Sequence, residues 1–508
     1  MKNRYLILII GFIIAGFYSC INDLGNYDYT DSQDLMPVKI SAFESEYSVI
    51  VGDSLKITPE FELLDNPARY EYIWYVRDEQ RNRRDTLAAT QNLDISVSLA
   101  QGNYVLRFSV IDPQLGIQVT TSTRLTVTTE IAAGWYILKT QDNLTDFDYI
   151  QNKGTQINNI LSIYGYQVVG EANTLAYNTR HFYQTENEDG SISNTRGAVF
   201  HVLSDYDMQT FTAADLSLVK TYDEHFYSPL GGVNQLNGLQ IEPDMYSPSL
   251  IVEGKVYTYS NLATNFGKYG APKIYKNTTT NYKAYQEIIF FSTYQFIIYD
   301  MLSRSFLHGE FDPNKAYLSN FERDGATLAS NLNYEVIQIT KRQRAAIGRM
   351  AETAYALAKD LSTGDYSIIS LTACNSTSDP ITSILSVPSN SELPNASVIA
   401  APEDASGIYF ANGNVLKVHY VAELENRENI LYTFPTDETI AYISHLKSAQ
   451  VPESTTVGNY IAVLTNNSSG WKLYLFAKAG ASEGFENPEP EYIASGEGKA
   501  KMFMYRAR

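Results

Sequence analysis

The sequence is poor in the residues that build disulfide frameworks and metal sites. Its 508 residues include two cysteines, Cys20 and Cys374, which are too few for a disulfide framework or a cysteine-based metal site. No two of the six histidines have the spacing that places metal ligands on one helix face. We therefore predict no metal and no cofactor, and expect isolated surface or loop positions for His181, His201, His225, His308, His419 and His445.

Basic residues are also in the minority. The chain has 38 Lys and Arg against 57 Asp and Glu, which gives a formal net charge of −19. Such a charge repels phosphate backbones and argues against a nucleic-acid partner. A hydrophobic content of 44% with 19% charged residues argues against disorder. The length exceeds that of one ordinary domain, so at least two domains are expected.

The apolar run near the N-terminus is too short to span a bilayer core, which needs about 20 residues. It extends from Tyr5 to Tyr18, follows Lys2 and Arg4, and ends at Ser19-Cys20. This pattern predicts a lipoprotein signal peptide over residues 1–19, acylation of Cys20, and a flexible tether over residues 20–35. An ordinary secretory signal or a signal-anchor helix is the alternative.

Aromatic residues are abundant, and their spacing favours β-sheet. The chain has 39 Tyr and 22 Phe, residue types that pack well on pleated sheets and, when exposed, can stack on sugars or peptides. Apolar residues alternate with polar ones over residues 36–130, for example from Tyr70 to Val76 and from Tyr104 to Val110. We predict an immunoglobulin-like β-sandwich there, with Trp74 in its core.

This first part of the chain resembles a known family. Trp74, Gly102-x-Tyr104 and Val110-x-Asp112 are similar to the PKD-type immunoglobulin-like fold, and the segment from Asp23 to Tyr29 resembles the start of PKD-like lipoproteins. The resemblance implies a surface lipoprotein that accompanies SusC/SusD-like outer-membrane uptake systems. In these systems a TonB-dependent transporter and its lid lipoprotein import oligosaccharides or peptides. The resemblance is weaker beyond the first domain.

One pattern recurs along residues 131–508. A β-branched or aromatic run is followed by a short polar turn and a second aromatic-rich run, at a spacing of roughly 40 to 60 residues that matches four-stranded propeller blades. We predict a seven-bladed β-propeller, and the resemblance implies a propeller-like region at this place; the alternative is two further β-sandwiches. The copies begin at Gly134, Ala198, Ile251, Phe296, Tyr355, Ile408 and Tyr460.

The polar segments between these copies are predicted to be inter-strand loops. They comprise residues 145–159, 183–194 and 277–285, and residues 341–360 are predicted to run from a loop into a strand. A basic group is expected in a sandwich loop, either as a solvated hairpin tip or as a contact with an acidic partner protein. Its members are Arg77, Arg81, Arg83 and Arg84.

No motif selects a catalytic residue. The chain has neither a G-x-S-x-G elbow nor a glycine-rich phosphate loop that leads into a helix. The tightest acidic group, Asp142, Asp146 and Asp148, lacks the central glycine and terminal glutamate of a calcium loop. These observations favour a binding protein over an enzyme.

The function expected from these features is capture outside the cell. We expect an outer-membrane lipoprotein that faces the exterior, binds a peptide or oligosaccharide on a loop face of residues 134–508, and docks on a SusC/SusD-like transporter and its lid lipoprotein. Two alternatives are a propeller enzyme that cleaves glycans or peptides and a structural scaffold of the uptake complex. The sequence does not select ligand-binding residues.

Overall fold

The computed structural model describes most of the chain from residue 39 to residue 506. Cys20, the signal peptide, the tether, Cys374 and Arg81 lie outside the described residues. No helix among the described residues is long and apolar enough to cross a membrane. The description leaves out residues 1–38, 42, 51–52, 63–68, 79–82, 100–101, 129–132, 152–153, 187–190, 232–235, 241–247, 259–266, 277–280, 291–294, 311–314, 343–352, 373–374, 404–405, 422–427, 448–458, 481–483 and 507–508.

The chain divides into two compact units, Met1–Glu130 and Ile131–Arg508. Strands dominate both units, which confirms the all-β prediction. The described residues contain one short α-helix, α1 (Ile160–Ile163), and 3-10 helices at Asp223–His225 and Leu393–Asn395.

The described part of the first unit forms nine strands in three sheets. The largest sheet has the order β2-β9-β8-β5-β6, and β3-β7 and β1-β4 are two-stranded. The strands are β1 (Lys39–Ser41), β2 (Glu46–Ile50), β3 (Ser54–Ile57), β4 (Glu60–Glu62), β5 (Glu71–Asp78), β6 (Arg83–Ala88), β7 (Leu93–Ser96), β8 (Gly102–Asp112) and β9 (Ile117–Thr128).

The core of this unit lies around Trp74, as the sequence predicts. The Trp74 side chain is fully buried, its ring centroid lies 4.4 Å from that of Phe108, and its Nε1 donates to the Thr90 carbonyl at 3.0 Å. Leu55 of β3 and Leu93 of β7 belong to the same core. The five-stranded sheet and the β3-β7 sheet therefore share one apolar core, as in a β-sandwich.

The described part of the second unit contains 31 strands. They are β10 (Gly134–Gln141), β11 (Leu144–Gln151), β12 (Gln156–Ile157), β13 (Val168–Val169), β14 (Ala172–Glu186), β15 (Ile192–Ser204), β16 (Met208–Thr212), β17 (Leu218–Lys220), β18 (Leu236–Gln240), β19 (Ser249–Val252), β20 (Lys255–Thr258), β21 (Ile274–Tyr275), β22 (Ala284–Phe290), β23 (Gln295–Asp300), β24 (Ser305–Glu310), β25 (Tyr317–Ser319), β26 (Phe321–Arg323), β27 (Ala326–Leu328), β28 (Tyr334–Arg342), β29 (Thr353–Asp360), β30 (Tyr366–Thr372), β31 (Ile381–Ser386), β32 (Val398–Ala400), β33 (Gly407–Asn412), β34 (Val415–Tyr420), β35 (Glu428–Thr433), β36 (Thr439–Lys447), β37 (Asn459–Asn467), β38 (Gly470–Ala477), β39 (Glu491–Gly496) and β40 (Lys499–Arg506).

Within the described residues these strands form seven successive sheets and one small hairpin, β26-β27. In chain order the sheets are β40-β10-β11-β12 with β13 on β11, then β14-β15-β16-β17, β18-β19-β20, β22-β23-β24-β25-β21, β28-β29-β30-β31, β32-β33-β34-β35 and β36-β37-β38-β39. We number them first to seventh. Each copy of the repeated sequence pattern lies on a different sheet.

The first sheet joins the two ends of this unit. Strand β40, at the end of the chain, pairs antiparallel with β10, for example Trp135 with Tyr505. Apolar clusters fill the spaces between neighbouring sheets, and one cluster that contains Trp135, Trp471 and Phe503 joins the seventh sheet to the first. Seven successive sheets, the seventh of which packs on the first, are compatible with a seven-bladed propeller, which stays a prediction.

Two predicted loops are strands instead. Residues 145–151 of the first segment lie on β11, and residues 183–186 and 192–194 of the second lie on β14 and β15. The prediction for the first segment was wrong because buried partners satisfy the polar side chains of β11: Asp146 accepts from the Leu161 amide, and Asp148 accepts from Trp471 Nε1. Residues 341–342 end β28 and β29 begins at Thr353, while β22 begins at Ala284 within the third predicted loop.

The three described members of the basic group lie on strands rather than in a loop. Arg77 ends β5, and Arg83 and Arg84 begin β6. The Arg84 guanidinium lies 3.8 Å from the centroid of the Tyr75 ring, so a cation–π contact on the sheet holds this residue. For these three residues the predicted loop was wrong, because the strand pairing continues to Asp78 and Arg83.

Candidate functional site

A row of tyrosines lies where the sixth and seventh sheets meet. Tyr432 is on β35, whereas Tyr474 and Tyr492 are register partners on β38 and β39. Buried Phe434 joins the two sheets, since its ring centroid lies 4.8 Å from that of Tyr432 and 5.0 Å from that of Tyr474. We call Tyr432, Tyr474 and Tyr492, with the surrounding Glu438, Lys472 and Glu489, the tyrosine seam.

Two tyrosines of the seam pack on buried aromatic side chains, and the third, Tyr492, is largely exposed to solvent. Tyr492 is 55% exposed, and Tyr432 and Tyr474 are half-buried. The Tyr474 and Tyr492 rings meet edge to face, with centroids 6.0 Å apart. Buried Phe476 supports Tyr432 at 5.2 Å. Such packing fixes the orientation of the rings and leaves the Tyr492 face available to a ligand.

A buried carboxylate anchors the polar side of the seam. Glu438 is 2% exposed and accepts hydrogen bonds from Lys472 Nζ at 2.6 Å, Thr465 Oγ1 at 2.7 Å and the Tyr474 hydroxyl at 3.1 Å. Burial, with Glu438 beside it, raises the pKa of Tyr474, and the hydrogen bond to Glu438 raises that of Lys472. A buried charge is stable only when it is paired in this way. Glu438 therefore holds Tyr474 and Lys472 in place.

The exposed rim of the seam is rich in hydrogen-bond acceptors. Glu489 is exposed, and its Oε2 lies 3.5 Å from the Tyr432 hydroxyl. Burial and the nearby Glu489 raise the pKa of Tyr432, so its hydroxyl stays protonated at neutral pH. The Tyr492 hydroxyl donates to Ser495 Oγ at 2.7 Å. This arrangement can offer ring faces and acceptors to one ligand.

Three of the histidines lie together in the interior of the second unit. His181 on β14, His201 on β15 and His225 in the 3-10 helix are fully buried, with ring centroids 4.9 Å apart for the first pair and 6.1 Å for the second. His308 and His419 are also buried. The expectation of isolated surface or loop histidines is wrong for these five, because strands β14, β15, β24 and β34 and the first 3-10 helix place them in the buried interior.

One hydroxyl joins two of the three histidines. Thr210 Oγ1 lies 2.7 Å from His201 Nδ1 and 2.9 Å from His225 Nε2. A hydroxyl has one proton, so it donates to one neutral imidazole and accepts from the other. Burial, with Lys220 nearby, lowers the pKa of His201 to about 3 and that of His225 well below its usual value. Both imidazoles are therefore neutral at neutral pH.

A buried lysine lies beside these histidines. Lys220 is 5% exposed and its Nζ donates to the Gly267 carbonyl at 2.6 Å. Burial, followed by the charge of Lys268, lowers its pKa to about 7. Across the described residues, no group of three or more His, Cys, Asp or Glu side chains is arranged to hold a metal ion. Burial thus disfavours the protonated form of Lys220, as it does for the histidines beside it.

The acidic group noted in the sequence serves the fold. Asp148 is fully buried, pairs with Lys139 Nζ at 2.7 Å and accepts from Trp471 Nε1 at 3.0 Å. Burial raises its pKa, and Lys139 opposes that shift. Asp146 accepts from the Leu161 amide at the start of α1 at 2.8 Å, and Asp142 lies in the β10–β11 turn with φ 52°. Their carboxylates do not converge on a shared ligand.

A second acidic arrangement resembles part of a hydrolase site but lacks its nucleophile. His419 Nδ1 lies 3.2 Å from Glu428 Oε1, and Ser391 Oγ donates to the same carboxylate. Burial acts to raise the pKa of Glu428, but the hydrogen bonds from His419 and Ser391 lower it to about 2. Ser391 Oγ is thus hydrogen-bonded to the carboxylate, an arrangement that differs from the serine–histidine pair that activates a nucleophile.

Comparison with known proteins supports the resemblance of the first part of the chain to PKD-like proteins. A model of the PKD-like family matches residues 20–187. This span includes the described part of the first unit and continues through β14 of the second. This match concerns the family resemblance and shows neither lipid attachment nor association with an uptake system. No curated protein matches the chain.

Several solved structures align with much of the chain at low similarity. A quinonprotein alcohol dehydrogenase-like protein from Bacteroides thetaiotaomicron is 12% identical, with 91% of this chain and 97% of that chain covered and a TM-score of 0.40. A DUF4784 family protein from Bacteroides caccae is 7% identical (90% and 95% covered, TM-score 0.26). PorZ, a surface component of the type-IX secretion system of Porphyromonas gingivalis, is 7% identical (72% and 52% covered, TM-score 0.29). Similarities this low support no inference about function.

Proposed function

We propose that the chain is a capture lipoprotein of the outer membrane. Acyl chains on Cys20 hold it on the membrane with its two units facing the cell exterior. The second unit binds a peptide or oligosaccharide and passes it to a SusC/SusD-like transporter and its lid lipoprotein, on which the protein docks. In this role the ligand is bound and released unchanged, without a cofactor.

The observation that carries this proposal is the tyrosine seam. Solvent-exposed aromatic rings on a rigid sheet supply large contact area at a small cost in conformational entropy. The seam holds Tyr492 at 55% exposure while Phe434 and Phe476 fix its neighbours. The polar groups beside it are fixed by Glu438. A surface of this kind favours binding, because none of its groups pairs a nucleophile with a base.

Binding can be tested with the soluble chain from residue 21 onward. Peptide and oligosaccharide mixtures are titrated against it, and retained ligand is identified by mass spectrometry. We expect the double variant Tyr432→Ala, Tyr492→Ala to lose binding. Tyr206→Ala, which removes a tyrosine 54% exposed between β15 and β16, should retain it. Ligand recovered in cleaved form would favour the enzyme alternative. Equal binding by all variants would exclude the seam.

Membrane attachment is tested separately by acylation. Cells grown with a fatty-acid analogue should label the wild-type protein and leave Cys20→Ala unlabelled. Native purification from membranes should then recover the labelled protein with a TonB-dependent transporter. Label on the Cys20→Ala variant would contradict the anchor, and recovery without any transporter would contradict docking.

A further inference from the structure

We propose that the tyrosine seam takes a neutral oligosaccharide rather than a peptide. This inference rests on the proposed function, because it names the ligand class of the same surface. It depends on three features of the seam: the stacking faces of its rings, the sign of its exposed charge and the strand from which its central tyrosine projects.

The ring faces suit the apolar side of a pyranose. The electron-rich face of an aromatic ring attracts positively polarised hydrogens, and a pyranose presents a set of C–H bonds on one face. Tyr492 offers such a face, 55% exposed, and Tyr474 beside it is fixed by Glu438. Tyr432 continues the row on the neighbouring sheet through Phe434. A row of rings can contact successive sugar units of one chain.

The exposed charge of the seam disfavours an acidic ligand. Glu489 is exposed at the rim, and Glu491 is exposed at the start of β39. The one cation of the seam, Lys472, already pairs with Glu438 at 2.6 Å. Carboxylates accept hydrogen bonds from hydroxyl groups. An anionic ligand would be repelled by the rim carboxylates and by the net charge of −19 of the chain. An uncharged polyhydroxylated ligand fits these groups.

The position of Tyr474 disfavours a peptide bound by strand addition. That mode requires an unpaired strand edge whose main-chain groups give affinity. Strand β38 pairs with β37 and β39, so its main-chain groups are already used, whereas β39 and β35, which carry Tyr492 and Tyr432, are end strands of their sheets. A peptide added to either edge would run parallel to that strand and reach at most one tyrosine of the row, because Tyr474 and Tyr492 are register partners on two strands. A ligand lying over Tyr474 meets side chains on the face of the sheet. Sugars are commonly bound through ring faces and side-chain hydrogen bonds of this kind.

Affinity electrophoresis of the soluble chain tests this inference directly. The gels contain neutral polysaccharides (β-glucan, xylan, mannan and galactan) or anionic polygalacturonate, and a casein digest is titrated in parallel. We expect retardation by at least one neutral polysaccharide and none by polygalacturonate. Tyr492→Ala and Tyr432→Ala should each weaken it roughly tenfold, which corresponds to about 1.4 kcal/mol. Tyr492→Phe, which keeps the ring, and Tyr206→Ala should match the wild type.

The outcomes separate the ligand class from the site. Digest peptides that bind the wild type but not Tyr492→Ala would overturn the sugar inference and leave capture at the seam intact. Retardation that is equal in wild type and Tyr492→Ala would place sugar binding elsewhere. It would overturn both the sugar inference for the seam and capture at the seam. Absence of binding to every polysaccharide and to the digest would also overturn the sugar inference and capture at the seam.

Discussion

The two units bury polar groups in different ways. The first unit has one apolar core around Trp74, and its one buried carboxylate among the described residues is Asp112, beside Arg69. Residues 1–130 contain no histidine. The second unit buries the Lys139–Asp148 ion pair, Glu438 and a histidine cluster between or within its sheets. Among the described residues, the series of sheets thus gives interior positions to more charged and histidine side chains than the sandwich does.

Removal of the last strand should produce the largest difference in stability between the two units. A chain that ends at Gly498 lacks β40, which supplies Phe503 to the core and pairs with β10 along the first sheet. We expect the second unit to lose its cooperative thermal transition while the first unit keeps its own. Calorimetry of the soluble chain measures both transitions. An unchanged second transition would show that the first sheet does not close this unit.

Loss of the Trp74 ring should affect only the first unit. Trp74→Ala removes a fully buried ring that packs on Phe108. Such a cavity costs about 3–5 kcal/mol. The first thermal transition should therefore fall and the second should stay constant. A shift of both transitions would mean that the units unfold as one.

The two units also allow a comparison of a buried ion pair with an exposed one. Lys139→Met leaves Asp148 buried without its cation and should cost the second unit about 3–5 kcal/mol. Lys56→Met removes a pair with Asp94 whose side chains are 68% and 62% exposed. It should cost the first unit less than about 1 kcal/mol. Urea unfolding checks both values, and equal costs would contradict the assigned burial.

The sequence predicts most of the fold but little of the seam. Alternation of apolar residues reveals the strands around Trp74, and the recurring aromatic pattern marks each of the seven sheets. Local patterns fail where a partner is distant: Asp148 is 323 residues from Trp471, its hydrogen-bond donor. Similarly, Thr210 explains the buried His201 and His225. The seam combines tyrosines from two sheets, and only their three-dimensional packing shows which ones remain exposed.

Acid should weaken the second unit through its histidines. The folded-state pKa of His201 is lowered to about 3, against about 6.5 in the unfolded chain. The unfolded chain thus binds more protons in this window, so stability is fully present above pH 6.5 and is lost as pH falls toward 3. Each such histidine contributes up to about 1.4 kcal/mol per pH unit.

Thermal scans between pH 7.5 and 5 check this prediction. The second transition should fall with pH, and His201→Gln should reduce the slope. The first unit, which has no histidine, serves as the internal control over the same range. A second transition that is independent of pH, or a slope unchanged in His201→Gln, would contradict the neutral buried cluster.

The central claim is that the ligand binds the second unit at the tyrosine seam and not the first unit. Calorimetry of the soluble chain with the polysaccharide that retards it most tests this claim, since a ligand stabilises only the folded unit that binds it. We predict that the second transition rises with ligand concentration, that the first stays constant, and that Tyr492→Ala makes the rise smaller at each ligand concentration. A rise of the first transition, or an equal rise of the second in Tyr492→Ala, would contradict the claim.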